Sequence, residues 1–127
     1  MRLVELEMAV APDAQEALRG KKGDDLLRAW LELPVGARPE LVWRLQHPRQ
    51  LIDIMRGFYY GLYARNVGPM RQLQDANICE DWPGAVGALD DLERHLEQWL
   101  DCIRQAKASL RKDLRVAGGS TGKGAGG

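Results

Sequence analysis

The stretch from Pro83 to Leu114, PGAVGALDDLERHLEQWLDCIRQAKASLRKDL, decides the fold. At 100° per residue, Leu89, Leu92, Leu96, Trp99, Leu100, Ile103, Leu110 and Leu114 fall within one apolar stripe about 100° wide. Much of the spacing runs 3-4-3-4, through positions 92, 96, 99, 103, 106 and 110, the seam of a helix packed nearly parallel or antiparallel to others. The pattern predicts one long helix over 83–114. Asp81, in EDWPG, is placed to cap it, Pro83 falls inside the first turn where a missing N–H costs nothing, and Trp82 is placed to staple its entry. The first half is acidic (Asp90, Asp91, Glu93, Glu97, Asp101) and the second basic (Arg104, Lys107, Arg111, Lys112, Arg115). That layout complements the helix dipole and equally suits a docking surface.

Length adds a further expectation. A helix over 83–114 is about 48 Å long, whereas a globule of this chain length is about 36 Å across. A straight helix overhangs, and Leu110 and Leu114 on the overhang keep the stripe's register. Exposed leucines in register ask for a neighbour, so Ile103, Leu110 and Leu114 are expected to meet a protein partner or a second copy of the chain. A kink near the middle would remove the overhang.

Composition agrees with a helical fold. Of 127 residues 45% are hydrophobic and 28% charged, the hydroxyl residues are only Ser109, Ser120 and Thr121, and Ile and Val are few beside Leu and Ala. Working outward from the long helix, further helices are expected over about 13–20 (Asp13 with Glu16 as reciprocal caps, Gly20 as stop), 24–33 (capped by Asp24), 39–47 (from Pro39 to a break at His47–Pro48), 49–66 and 70–78. The fold class expected is all-α: an irregular bundle of four to six helices around the long C-terminal one. Residues 1–116 form a single helical domain in this reading. Within it, Val4, Leu6, Met8 and Val10 alternate, so residues 1–12 read as an arm or a short strand with no evident partner. The glycine-rich end, 117–127, reads as a flexible tail.

GFYYGLYAR, residues 57–65, gathers the single Phe and all three Tyr. On a helical projection Leu51, Ile52, Met55, Phe58, Tyr59, Leu62 and Tyr63 make one apolar face, which makes the cluster core and core edge rather than a base-stacking platform. Gly57 and Gly61 leave a smooth strip that suits tight packing within the chain, or, in lipid, a dimer. Tyr60 is left on an exposed line with Arg49 and Arg56, a combination able to stack a base and hold a phosphate, to form a cation–π pair, or to pair with the acidic block of the last helix. Trp30 and Trp99 are expected in the core.

Several chemistries lack their residues. GGSTGKG is no phosphate loop: Ala117 stands where the first glycine belongs, Gly124 follows Lys123, and no helix follows. His95 and Cys102 are about 10.5 Å apart along one helix, and Cys79 with Cys102 forms no CxxC pair, so no metal or cofactor site is read and the thiols are expected to be free and structural. Asp90 and Asp91 point apart, and Ser109 and Ser120 lie in a basic helix and the tail, so catalysis is not expected. No run approaches the roughly 20 apolar residues that span a bilayer, and the glutamates of MRLVELEMAV interrupt any signal-like stretch, so the protein is read as cytoplasmic with no membrane partner. The functional expectation is a non-catalytic interaction module, subunit, adaptor or chaperone-like partner. The alternative is a nucleic-acid accessory protein using Arg49, Arg56, Tyr60, Arg111, Lys112 and Arg115.

Overall fold

A computed structural model describes residues 7–10, 15–44 and 49–121; the side chains of residues 7, 49, 113 and 115–121 lie outside that description. The chain runs through a strand β1 (Glu7–Val10), a single 3-10 turn (Glu16–Leu18), α1 (Gly23–Leu31), a second 3-10 turn (Val35–Ala37), a strand β2 (Leu41–Arg44), α2 (Arg49–Gly61), α3 (Pro69–Ile78) and α4 (Trp82–Thr121). The protein is therefore mostly helical with a long C-terminal helix, but not all-α. β1 and β2 form a two-stranded antiparallel sheet, with Met8 opposite Trp43 and Val10 opposite Leu41.

That sheet corrects the helix expected over 39–47. Leu41 and Trp43 turn inward while Val42 and Arg44 face out, a period of two rather than 3.6. The outer edge of β2 is closed by α4: Gln105 accepts from the Trp43 N–H at 2.7 Å and donates to the Leu41 carbonyl at 3.5 Å. The expected break at His47–Pro48 and the Asp13 cap lie outside the described residues. The helix expected over 13–20 is only the turn at Glu16–Leu18, and Asp24 lies inside α1, whose N-cap is Lys22. α2 stops at Gly61, short of residue 66. α4 carries on to Thr121, past the expected end at residue 114.

The core holds Leu18, Leu26, Leu27, Trp30, Leu31, Leu41, Trp43, Ile54, Phe58 and Cys102, with Trp99 and Leu110 partly buried against it. Phe58 is its centre, stacked on Trp99 at 5.7 Å and edge-on to Trp30 at 5.8 Å. The inward face of α2 is rotated from the expected one. Ile54 and Phe58 are buried, while Tyr59, Tyr63 and Ile52 are exposed. The rotation brings the glycines inward: a Cβ at Gly57 would stand 2.8 Å from Leu27 Cδ2, and one at Gly61 2.9 Å from Leu31 Cδ2 and 3.2 Å from His95 Cε1. The small strip thus serves close packing within the chain, against α1 and α4.

One short connection joins α3 to α4. The Asp81 N–H donates to the Ala76 carbonyl at 2.8 Å and the Glu80 N–H to the Asn77 carbonyl at 3.2 Å, the paired bonds of a Schellman stop. The next residue starts the next helix: Asp81 Oδ1 accepts from the Gly84 N–H at 3.0 Å, as its sequence position predicts. Glu80 holds the left-handed position at φ 54°. Glu80→Gly is therefore expected to stabilise the protein, and Asp81→Ala to destabilise it, each by about 1 kcal/mol in urea or thermal unfolding.

Candidate functional site

Two lines of residues run along α4, and they face different media. Ala88, His95, Cys102 and Ala106 are buried, whereas Trp82, Val86, Leu89, Leu96, Leu100 and Leu114 are exposed, from 43% at Leu100 to 69% at Leu114. The inward line is built of small or polar side chains, and beside it His95 reaches the Phe58 carbonyl of α2 and Gln105 the edge of β2. The expected stripe is split: Trp99, Ala106 and Leu110 pack inward, Leu92 and Ile103 are half-buried, and Leu89, Leu96, Leu100 and Leu114 look outward. Leu89, Leu92, Leu96 and Leu100 floor a shallow apolar trough with Glu93 and Glu97 along it.

The three expected contact residues divide. Leu114 is open; Ile103 is half-buried on the shoulder between the two lines; Leu110 is partly covered by the core of its own chain, which corrects the expectation that it overhangs freely. Trp82 is 59% exposed and does not staple the helix entry. Its place is at the head of the outward row, where with Val86 it adds contact surface that the sequence reading did not assign. The signal was present. Positions 82, 86, 89, 96, 100 and 103 keep a 4-3 spacing, distinct from the seven-residue steps of 88, 95 and 102. Arg111 and Lys112 are exposed beyond the trough; the Arg115 side chain lies outside the described residues.

Arg56 and Tyr60 do come together, lining an open groove of about 430 Å³ between α1 and α2. The groove is mixed in sign: Arg28, Arg56 and Arg65 alternate with Asp24, Glu32 and Asp53. Arg65 pairs with Glu32 at 2.7 Å and Arg56 approaches Asp53 to 3.8 Å. Arg49 begins α2, with its side chain outside the described residues.

Beneath both surfaces lies a buried polar node that the sequence reading missed. Arg38 and His95 are the buried charged or titratable side chains among the described residues apart from the thiol of Cys102. Arg38 donates from Nε to the Leu33 carbonyl (3.1 Å), from Nη2 to the Leu31 carbonyl (2.9 Å), and from Nη1 to Gln98 Oε1 and His95 Nδ1 (both 2.9 Å). A guanidinium has no acceptor, so Nδ1 must accept and His95 is held as the neutral Nε2–H tautomer. That N–H donates to the Phe58 carbonyl at 2.8 Å. Burial lowers the His95 pKa from 6.5 to about 4, with the Phe58 carbonyl raising it and the Arg38 charge lowering it. Burial also lowers Arg38 to about 10, opposed by Asp91, so it stays charged at neutral pH. The node is packed, with each nitrogen of Arg38 and both ring nitrogens of His95 partnered within the chain, and reads as a structural clamp.

Cys79 is an exposed free thiol; Cys102 is buried and free, its pKa pushed up to about 12 by burial and by Asp101, which makes it a poor nucleophile. Among the described residues no group of His, Cys, Asp and Glu is arranged to hold a metal ion, and no helix is long and apolar enough to cross a membrane. In comparisons with known proteins the chain matches no family model, no curated protein and no solved structure.

The node sets a pH dependence. His95 takes up a proton near 6.5 when unfolded but only near 4 when folded, so below 6.5 the unfolded state binds more protons. The His95 contribution to stability is therefore fully present above about pH 6.5 and is expected to be lost as pH drops towards 4, by up to about 3 kcal/mol. Urea unfolding across that range reads the slope, and His95→Gln, though less stable throughout, is expected to lose this component of it.

Proposed function

We propose that the chain is a non-catalytic cytoplasmic interaction module, a subunit, adaptor or chaperone-like partner in a larger assembly, which docks through the outward row of α4. The observation that carries this reading is the exposure of Trp82, Val86, Leu89, Leu96 and Leu100 along one edge of one helix. Scattered surface leucines need no explanation, but a contiguous row at coiled-coil spacing has the form that a helix groove or a partner helix covers. Covering it recovers about 25 cal/mol for each Å² of apolar surface removed from water. The exposed tryptophan at one end is the residue type most often found to anchor such contacts.

The alternative, nucleic-acid binding, draws less support. A polyanion favours unpaired cations, whereas Arg56 and Arg65 share their groove with three carboxylates.

Pull-down from the native host with the full chain tests the reading, set against a Leu96→Glu/Leu100→Glu variant. Both positions are exposed, so the fold should survive, as circular dichroism will check. Proteins retained by the parent chain and lost from the variant are the expected result. Identical sets, or retention of nucleic acid alone with release by modest salt, would overturn the proposal.

A further inference from the structure

We infer that the occupant of the α4 edge is a second copy of this chain, its α4 running antiparallel to the first. The inference rests on the reading that this edge is a docking surface, and names what covers it.

Continued in register, the row runs Trp82, Val86, Leu89, Glu93, Leu96, Leu100, Ile103, Lys107, Leu110, Leu114, with steps alternating between four and three residues; Ile103 is half-buried and Leu110 is partly covered by the core, so the contact is fullest at the exposed members. Eight of these ten positions are apolar, and the two that are not carry opposite charges. Glu93 and Lys107 stand seven residues to either side of Leu100. Val86 and Leu114 stand fourteen to either side. An antiparallel pair centred near Leu100 therefore brings Glu93 of each copy within about one helical turn of Lys107 of the other, twice, by symmetry. Either charge alone in an apolar seam would be costly; each supplies what the other lacks.

The flanks repeat the match. Residues 90–101 carry five acids against Arg94, and residues 104–115 carry five bases against Asp113. Antiparallel pairing lays the acidic half of one helix over the basic half of the other. Parallel pairing would set acid beside acid and base beside base. One helix thus holds both halves of a complementary surface, as a two-fold interface requires. The row lies about 100° around α4 from the buried line of Ala88, His95, Cys102 and Ala106. A second helix can lie along its exposed members from Trp82 to Leu100 without displacing the core.

Sedimentation equilibrium of the full chain, over rising concentration and at two ionic strengths, is the first measurement. A reversible dimer that loosens with salt is expected. Lys107→Glu, at an exposed site, should raise the dimer Kd about tenfold because symmetry repeats the change, and adding Glu93→Lys in the same chain should restore it. Orientation follows from one spin label per chain at Gly87→Cys, where a Cβ meets nothing within 4 Å, with Cys79→Ser removing the exposed thiol. Double electron–electron resonance should give a separation of about 40 Å for the antiparallel pair; a parallel pair would bring the labels within about 20 Å.

A monomer at the highest concentration, a dimer indifferent to Lys107→Glu, or a short label distance would overturn the inference. If the chain is monomeric yet the Leu96→Glu/Leu100→Glu variant loses another protein in pull-down, the second copy is wrong and the docking edge stands. If it is monomeric and the variant loses nothing, both readings fall.

Discussion

A single buried cation organises this protein. Arg38 reaches under the Trp30 ring, 5.0 Å from its centroid, and donates hydrogen bonds to the carbonyl of Leu31, which ends α1, to that of Leu33 just beyond it, to Gln98 and to His95. His95 donates in turn to the Phe58 carbonyl in the last turn of α2, where the carbonyls of Tyr59, Tyr60 and Gly61 are already taken by the N–H groups of Leu62, Tyr63 and Ala64. Two helix C-termini, each with orphan acceptors and the negative end of a dipole, thus converge on one positive charge with a neutral imidazole as its extension. A buried guanidinium is tolerable only when its donors are met, so α1, α2 and α4 must keep these positions together.

The clamp also decides what α4 shows to solvent. With His95 drawn inward, its neighbours on the same line, Ala88, Cys102 and Ala106, go in with it. The leucines about 100° away are then carried outward. Gly57 and Gly61 complete the arrangement from the other side, since α2 can lie this close to α1 and α4 only where no Cβ intervenes. The close inner packing and the open outer row are two consequences of one rotation of the helix.

How legible this was in the sequence varies by element. α1, α3 and the start of α4 could be read because their signals are local: an apolar period of 3.6 in α1, the break at Gly68–Pro69 before α3, and Asp81 serving as a cap. β2 could not, because four residues after a proline carry too little pattern, and their strand state depends on β1 and on Gln105, 62 residues away from Trp43. Phe58 was recognisable as core, while Tyr59 and Tyr63 were not recognisable as surface. A projection centred on the bulkiest residues ignores glycines, and here the glycines mark the buried side. The leucine row was legible as a row, but its direction was not. Hydrophobicity argued for the inside, and a polar arginine and histidine took that place.

The amino-acid sequence by itself determined that a long amphipathic helix occupies its C-terminal part, that this helix starts after Asp81, and that its charges segregate. Those properties depend on spacing of a few residues along one segment. Only the tertiary structure decided which of the two lines on that helix faces the core, because the choice depends on hydrogen bonds between residues as far apart as Arg38 and His95. Satisfying a buried charge outweighed burying more leucine, and an apolar edge of α4 was left exposed.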